Sequence, residues 1–523
     1  MSADSSPPPA PPHVNPWIVA TAVMFATFME ILDTTVVNVS LPHIAGSLSA
    51  SIDESTWALT SYLVANAIVL PLTGWLANYF GRKRLLMLSI GGFTAASLLC
   101  GLAPNLGMLV AFRVVQGLTG GALQPLSQAV LLEAFPPRDR GKAMGFWGLG
   151  IVVAPILGPV VGGWLTDSYS WRWVFYINFP VGIASMVMTK LFIFDPPYVS
   201  RKSETIDYWG IGLLAVGIGG LQIMLDLGQQ RDWFSSDMIR VTAVLAVIGL
   251  AVFIWRELHT DHPVVDLRVF KIRTYSAGVF LMTVLGFVLF GSLVLLPIML
   301  QTLLGYPSLQ AGIAMAPRGM GSFLAMPIVG LLVARVDPRK LLALGLCGGA
   351  LTLYWLGQLD LSAGYWDIFW PQLIQGMSLG LIFVPLTTIT MDPIPKETMG
   401  NATSLFNLMR NLGGSVGIAV ATTMISRRAQ QNINVLGANV TSYDPSTRRM
   451  LDGLKAIMMA RGADLATATD RAHAMLFGLV ARQATMLAFV GVFRLLALIF
   501  LLMLPLLLIM QTPRHRRSDV AMH

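Results

Sequence analysis

The chain has 523 residues, of which 55% are hydrophobic and only 12% charged, with a net charge of +8. An ordinary soluble domain carries about 25% charged residues, so a water-soluble globular fold is excluded. The cations are divided among short segments between apolar runs, which points to membrane topology rather than to a nucleic-acid-binding surface.

The chain opens with a proline-rich segment, residues 1–16, that has no Lys or Arg before the first apolar run. It reads as a disordered cytoplasmic tail and not as a cleaved signal. Apolar runs then predict membrane spans at 17–40, 56–77, 84–103, 108–131, 143–165 and 173–194, followed by 208–226 and 238–255. Six more are expected at 274–300, 310–333, 340–357, 365–390, 401–425 and 484–510. The fold expected is therefore all-α and integral to the membrane, with about fourteen transmembrane helices.

Lys and Arg alternate in the connections. Arg82, Lys83 and Arg84, then Arg138, Arg140 and Lys142, Arg201 and Lys202, Arg268, Lys271 and Arg273, Arg335, Arg339 and Lys340, and Lys396 all fall on one side, with a basic tail at 511–523 that holds Arg514, Arg516 and Arg517. The positive-inside rule then places both termini in the cytoplasm. The long connection 427–483 is external, and Met450, Leu454, Met458 and Met459 recur in it at helical spacing, so it is expected to contain helix. Cys100 and Cys347 each lie in an apolar segment, which predicts buried packing and gives no support to a disulfide framework or a cysteine metal site.

A duplication is legible. GWLANYFGRKRLL at Gly74 to Leu86 returns as GLLVARVDPRKLL at Gly330 to Leu342, an offset of 256 residues. VVQGLTGGALQPLS at Val114 returns as LIQGMSLGLIFVPLT at Leu373 at nearly the same offset. Two six-helix halves, 17–195 and 273–510, flanking two extra central helices within 196–272, are the organisation of a major facilitator transporter.

Charged residues inside the spans are the candidates for chemistry. Glu30 and Asp33 are three residues apart in the first span and so share a helix face. Desolvation of an acid facing a cavity brings proton uptake and release within reach of neutral pH, as proton coupling requires. Pairing with a cation or capping a broken helix is the structural alternative for both acids. Arg113 in the fourth span needs a carboxylate, carbonyl or water partner, and it either biases a nearby acid or makes a structural bond. Arg318 and Arg410 are placed similarly but rank lower. In APILGPVVGG, Gly158 and Gly162 are four apart on one helix face, with Pro155 and Pro159 disturbing the backbone and Gly163 following.

LDTTVVNVSLP at Leu32, GWLANYFGRKR at Gly74, RVVQGLTGGA at Arg113 and APILGPVVGG at Ala154 stand in an order that resembles the EmrB/QacA-type drug:proton antiporters, and most nearly their EmrB branch from Gram-negative bacteria. The resemblance covers nearly the whole chain. It implies an inner-membrane exporter of hydrophobic or amphipathic small molecules, driven by the proton gradient with no cofactor. Asp33 would be the coupling acid with Glu30 beside it, Arg113 its partner, and Pro155, Gly158, Pro159, Gly162 and Gly163 the antiporter motif. Gly74, Gly81, Arg82 and Arg84 would form the cytoplasmic gate motif. Asn78 departs from the family, which commonly has an acid there, so the gate is expected to be held by hydrogen bonds and helix ends instead of an ionic latch. The resemblance also implies a periplasmic membrane-fusion adaptor and an outer-membrane channel as partners, with 427–483 a docking surface, besides substrate, protons and membrane lipid.

Export of a single endogenous metabolite or lipid is the alternative within transport. A polytopic enzyme is disfavoured because His13, His43, His259, His262, His473, His515 and His523 are scattered over tails and loops, and neither an HExxH nor a GxxxxGK[ST] segment is present.

Overall fold

The computed structural model describes residues 15–195, 207–260, 263–441 and 443–510. The terminal tails, Arg201, Lys202 and His262 lie outside the described residues. Fifteen principal helices follow in order: α1 Pro16–Ser47, α2 Trp57–Phe80, α3 Arg82–Leu102, α4 Leu106–Ala134, α5 Arg140–Ser168, α6 Asn178–Phe192, α7 Tyr208–Leu227 and α8 Asp237–His259. The second set is α9 Arg273–Thr302, α10 Ser308–Leu332, α11 Pro338–Leu356, α12 Tyr365–Met391, α13 Met399–Ala438, α14 Pro445–Ala460 and α15 Leu465–Leu502.

Local chemistry sets the helix starts. Asn15 caps α1 by accepting from the Trp17 amide at 3.0 Å, with Pro16 at the first helical position. Asp337, beside the second basic pair, caps α11 through the Arg339 amide at 3.0 Å. Gly81 takes a φ of 86° between α2 and α3, a turn that disfavours any residue with a Cβ.

Twelve helices among the described residues are long and apolar enough to cross a membrane, two fewer than expected from sequence. The two expected spans outside that set are α11 and α13, and both are packed in the bundle. In α11 the basic pair Arg339 and Lys340 occupies part of a short helix. In α13 the apolar stretch is interrupted by Asn401, which is half-buried, and by Thr403, Ser404, Asn407 and Arg410, which are buried polar groups and not a water-exposed stripe. The connection expected at 427–483 is mostly continuing helix. Helix α13 runs unbroken to Ala438, α15 begins at Leu465, and α14 packs against α15 between them. Cys100 is buried as expected, but Cys347 is exposed on the outer side of α11, because an apolar segment facing lipid carries apolar residues on its outside too.

The duplication is built into the packing. In the first half α1 packs on α5, α2 on α4, α3 on both α4 and α6, and α1 on α6. In the second half the same contacts recur as α9 on α13, α10 on α12, α11 on α12 and α15, and α9 on α15. Contact between the halves is reciprocal as well, α5 against α10 and α13 against α2. The register is visible at single residues: Gly117 abuts the Tyr62 carbonyl, and Gly376 abuts the Arg318 carbonyl. Helices α7 and α8 pair with each other, and α7 lies against α2 and α13, on the outside of the seam between the halves. Gln222 bonds Ser415 at 2.9 Å and Trp233 bonds Thr423 at 3.0 Å, both on α13.

Candidate functional site

Asp33, fully buried on α1, is the centre of a polar cluster inside the first half. One carboxylate oxygen accepts from Arg113 Nη1 at 2.5 Å, and the other accepts from Gln116 Nε2 at 3.0 Å and Asn178 Nδ2 at 2.7 Å. Arg113, also fully buried, donates from Nε to the Ala58 carbonyl at 2.8 Å and from Nη1 to Gln116 Oε1 at 2.7 Å, and its guanidinium lies 4.2 Å from the Tyr62 ring centroid. Helices α1, α2, α4 and α6 thus meet on one ion pair, and such a charge is tolerated at membrane depth only when paired and hydrogen-bonded. Arg113 Nη2 has no hydrogen-bond partner among the described residues. Of this set, sequence reasoning identified Asp33 and Arg113 and missed Gln116, Asn178 and Tyr62.

Glu30, 4% exposed, faces the other way, toward the second half. Its Oε1 accepts from Asn66 Nδ2 at 2.9 Å and from the Tyr62 hydroxyl at 3.5 Å, while Oε2 has no partner among the described residues. Gln124 of α4 interacts with the Glu30 carboxyl, and its Oε1 accepts a hydrogen bond from Arg410 Nη2 of α13 in the second half. Asn407, one turn away on α13, donates to Gln128 Oε1 of α4. Arg410 is only 4% exposed. It is buried at the seam where the halves meet. Tyr62 touches both clusters, so the two acids expected to work together share one neighbour but have separate surroundings. Arg318 is not part of either cluster; it lies inside the second half, donating to Ser292 Oγ at 3.2 Å.

The Gly-Pro segment lies on α5, clamped between α1 and α10. A Cβ on Gly158 would collide with Thr35, and one on Gly162 would come within 2.9 Å of the Val36 carbonyl, so both glycines permit close approach one turn from Asp33. Gly163 has open space around it and does not share that face. On the opposite side of α5, Ile156 meets Gly319 of α10. Pro155 and Pro159 lie within the unbroken helix, and each withholds one backbone donor from it.

At the basic end of the bundle, Gly74 of α2 lies against the backbone of Asn401 on α13, where a Cβ would stand 2.7 Å away. Arg82 is buried and forms an ion pair with Glu133 at the end of α4, and its Nη2 also reaches the Lys396 carbonyl of the second half at 3.5 Å. Asp195 accepts from the Lys83 amide at 2.8 Å and lies against Gly81. Position 78 is Asn and supplies no ionic partner, and the acids beside the basic turn are Glu133 of α4, paired with Arg82, and Asp195 just after α6, which accepts from a backbone amide. Asn78 itself is exposed and lines a cleft with Asp266, Glu397 and Asn401, and Arg84 points outward. Asp266 and Asn401 exchange two hydrogen bonds, at 3.2 and 2.8 Å, tying the segment after α8 to the gate. Gly141 of α5 and Gly330 of α10 are in backbone contact at the same end, so the halves are closed against each other there.

The Major Facilitator Superfamily profile matches residues 23–418. The chain is 40% identical over 445 residues to the multidrug export protein EmrB of Escherichia coli K12, covering 85% of this chain and 87% of that one. It is 41% identical over 426 residues to the fatty acid resistance protein FarB of Neisseria gonorrhoeae, covering 81% and 84%. Among solved structures, the human organic anion transporter MFSD10 (TETRAN) superposes with a TM-score of 0.58 at 14% identity over 94% of this chain and all of that one, a likeness of fold alone.

Proposed function

Because this chain belongs to the major facilitator superfamily and to its EmrB-like multidrug exporters, we propose that Asp33 and Arg113 are the proton-coupling pair of a drug efflux antiporter. The protein is a multi-pass inner-membrane transporter that expels hydrophobic or amphipathic small molecules in exchange for protons. The observation that carries the coupling assignment is the buried Asp33–Arg113 pair, held by Gln116 and Asn178, one turn from the Gly158–Gly162 face of α5.

A carboxylate accepting three hydrogen bonds, one from a guanidinium, is stabilised in its charged form. Protonating Asp33 neutralises the acid facing Arg113 and weakens the bonds that join α1 to α4 and α6. Helix α1 is then free to shift along the glycine face of α5, which in turn lies on α10 of the other half. Glu30, joined to the seam through Gln124 and Arg410, reports the same movement to α13. Binding of a proton and of substrate to alternative arrangements of the halves gives exchange by alternating access.

With the basic connections in the cytoplasm, both termini are cytoplasmic and the closed end of the bundle is the cytoplasmic gate. Helices α13 and α15, 40 and 38 residues long, are about 60 Å in extent, roughly twice the hydrocarbon thickness, so their far ends stand outside the membrane with α14. That projecting helical group, with Met450, Ile457 and Met459 exposed on α14, is a surface for a periplasmic adaptor leading to an outer-membrane channel.

The test is uptake of a fluorescent lipophilic cation and of a medium-chain fatty acid into inverted vesicles with and without an imposed proton gradient. Wild type is expected to accumulate the cation only with the gradient, and Asp33→Asn, shown to be folded by its elution profile, to lose at least about tenfold of that rate. Unchanged uptake by Asp33→Asn removes the residue from coupling. The similarity to FarB favours a second reading, export of one fatty-acid-like compound, and uptake of the acid without the cation would select it.

A further inference from the structure

The repeat places a second buried guanidinium where the first half has its ion pair, but without an acid. At the 256-residue offset Arg318 stands in the place of Tyr62, as the matching contacts of Gly376 and Gly117 confirm, and α9, which packs in the second half as α1 does in the first, contains no Asp or Glu. Gln375 corresponds to Gln116, which in the first half donates to the Asp33 carboxylate. Tyr62 and Gln116 of the first cluster thus have Arg318 and Gln375 as counterparts, Arg113 is matched by Gln372, and no acid takes the part of Asp33.

Arg318 is 3% exposed, about 15 Å along α10 from its start, which is near the middle of the membrane. An arginine keeps its charge in a protein interior, and leaving it there unpaired costs several kcal/mol. Its one hydrogen bond among the described residues is to Ser292, whose hydroxyl is itself committed to the Leu289 carbonyl at 3.0 Å. Arg318, Ser292, Gln375, Ser378, Leu289 and Phe500 line a small cavity between α9, α10, α11, α12 and α15, with room for one water-sized body and no acidic side chain in its wall. Gln375 accepts from Gln372 at 3.3 Å, which leaves its amide nitrogen as a donor.

We propose that this cavity binds a small monovalent inorganic anion of chloride size, held by Arg318 and Gln375, which supplies the negative charge that Asp33 supplies in the first half. The cavity's size excludes the chain of an organic acid, and its wall, with Leu289 and Phe500 in it, holds no carboxylate to repel an anion. The anion is a counterion for the core of the second half and makes that half's stability depend on halide.

The experiment uses the full-length protein in lipid nanodiscs, with unfolding followed by intrinsic tryptophan fluorescence in chloride or gluconate at constant ionic strength. A saturable upward shift of Tm by a few degrees is expected with chloride and none with gluconate, since a ligand that binds the native state stabilises it in proportion to its saturation. Leu289→Asp, which places a carboxylate in the wall of the cavity, is expected to remain folded in gluconate and to lose the chloride response. Gln375→Leu is expected to raise the half-saturating chloride concentration about tenfold. Equal Tm in the two salts, or a full chloride shift retained in both variants, overturns the proposal. A larger shift with octanoate than with chloride assigns the cavity to an organic carboxylate and overturns the inorganic assignment.

Discussion

Two buried ion pairs lie among the described residues of the first half, and their surroundings give them different tasks. Asp33 also accepts from the uncharged amides of Gln116 and Asn178, and Arg113 donates to the Ala58 carbonyl, so the acid can lose its charge while a framework of hydrogen bonds remains. Arg82 and Glu133 sit where α2, α3 and α4 end, and Arg82 also reaches the second half. Removing one member of such a buried pair costs about 3–5 kcal/mol because the other charge is stranded, whereas replacing both by apolar groups of similar size is often neutral. Arg82→Met is therefore expected to lower Tm strongly, and Arg82→Met with Glu133→Met to recover most of that loss while transport stays impaired, because the contact with Lys396 is gone. Thermal unfolding of the three proteins beside their vesicle transport rates checks this; a double variant as unstable as the single one would show that the pair itself is not the source of the stability.

At the scale of helices, the Gly-Pro segment of α5 divides by face. Gly158 and Gly162 are in contact with Thr35 and Val36, and Gly163 meets nothing within 4 Å. Adding a methyl group to a packed interface costs about 1–3 kcal/mol, so Gly158→Ala is expected to push α1 from α5 and depress transport, while Gly163→Ala leaves both Tm and transport near wild type. Equal effects at the two positions would mean that the face assignment is wrong. The motif was legible in sequence because glycines four apart on a helix have one meaning, and Glu30, Asp33 and Arg113 were legible because charge inside an apolar run stands out. Gln116, Asn178, Asn66 and Gln124 were not, since an uncharged amide in a span carries no sign of which neighbour it faces. The one available signal was the recurrence of Gln116 as Gln375 in the second copy. Glu133 and Asp195 were missed for another reason: ordinary acids at helix ends, distant in sequence from Arg82 and Lys83, become partners only when three helices converge. The continuation of α13 and α15 past the membrane was hidden because polar residues in a projecting helix read like those of a loop.

For the molecule as a whole, the reciprocal contacts of α5 with α10 and α13 with α2 mean that the halves can rock only by opening one end of these two seams while keeping the other. Duplication makes the seams equivalent, but the closed end is fixed by small residues, Gly74 against Asn401 and Gly141 against Gly330, where backbones touch and no long side chain adapts to separation. Such a contact is either made or broken, which suits a gate with two positions. A Cβ on Gly141 would stand 3.3 Å from the Cβ of Val333, a few tenths of an ångström short of the spacing usual in a disulfide. In a background of Cys100→Ala and Cys347→Ala, the pair Gly141→Cys and Val333→Cys is thus expected to cross-link on oxidation, with Tm lowered before oxidation because the new Cβ at 141 crowds the Gly330 carbonyl. Oxidised protein should bind substrate from one side of the membrane only and transport none, and reduction should restore the rate. Transport that continues at full rate through an oxidised cross-link would mean that these ends never part, and the cycle would then have to run through motions inside each half, leaving the ion pair of α1 and α4 as the moving element and the seam as a fixed frame.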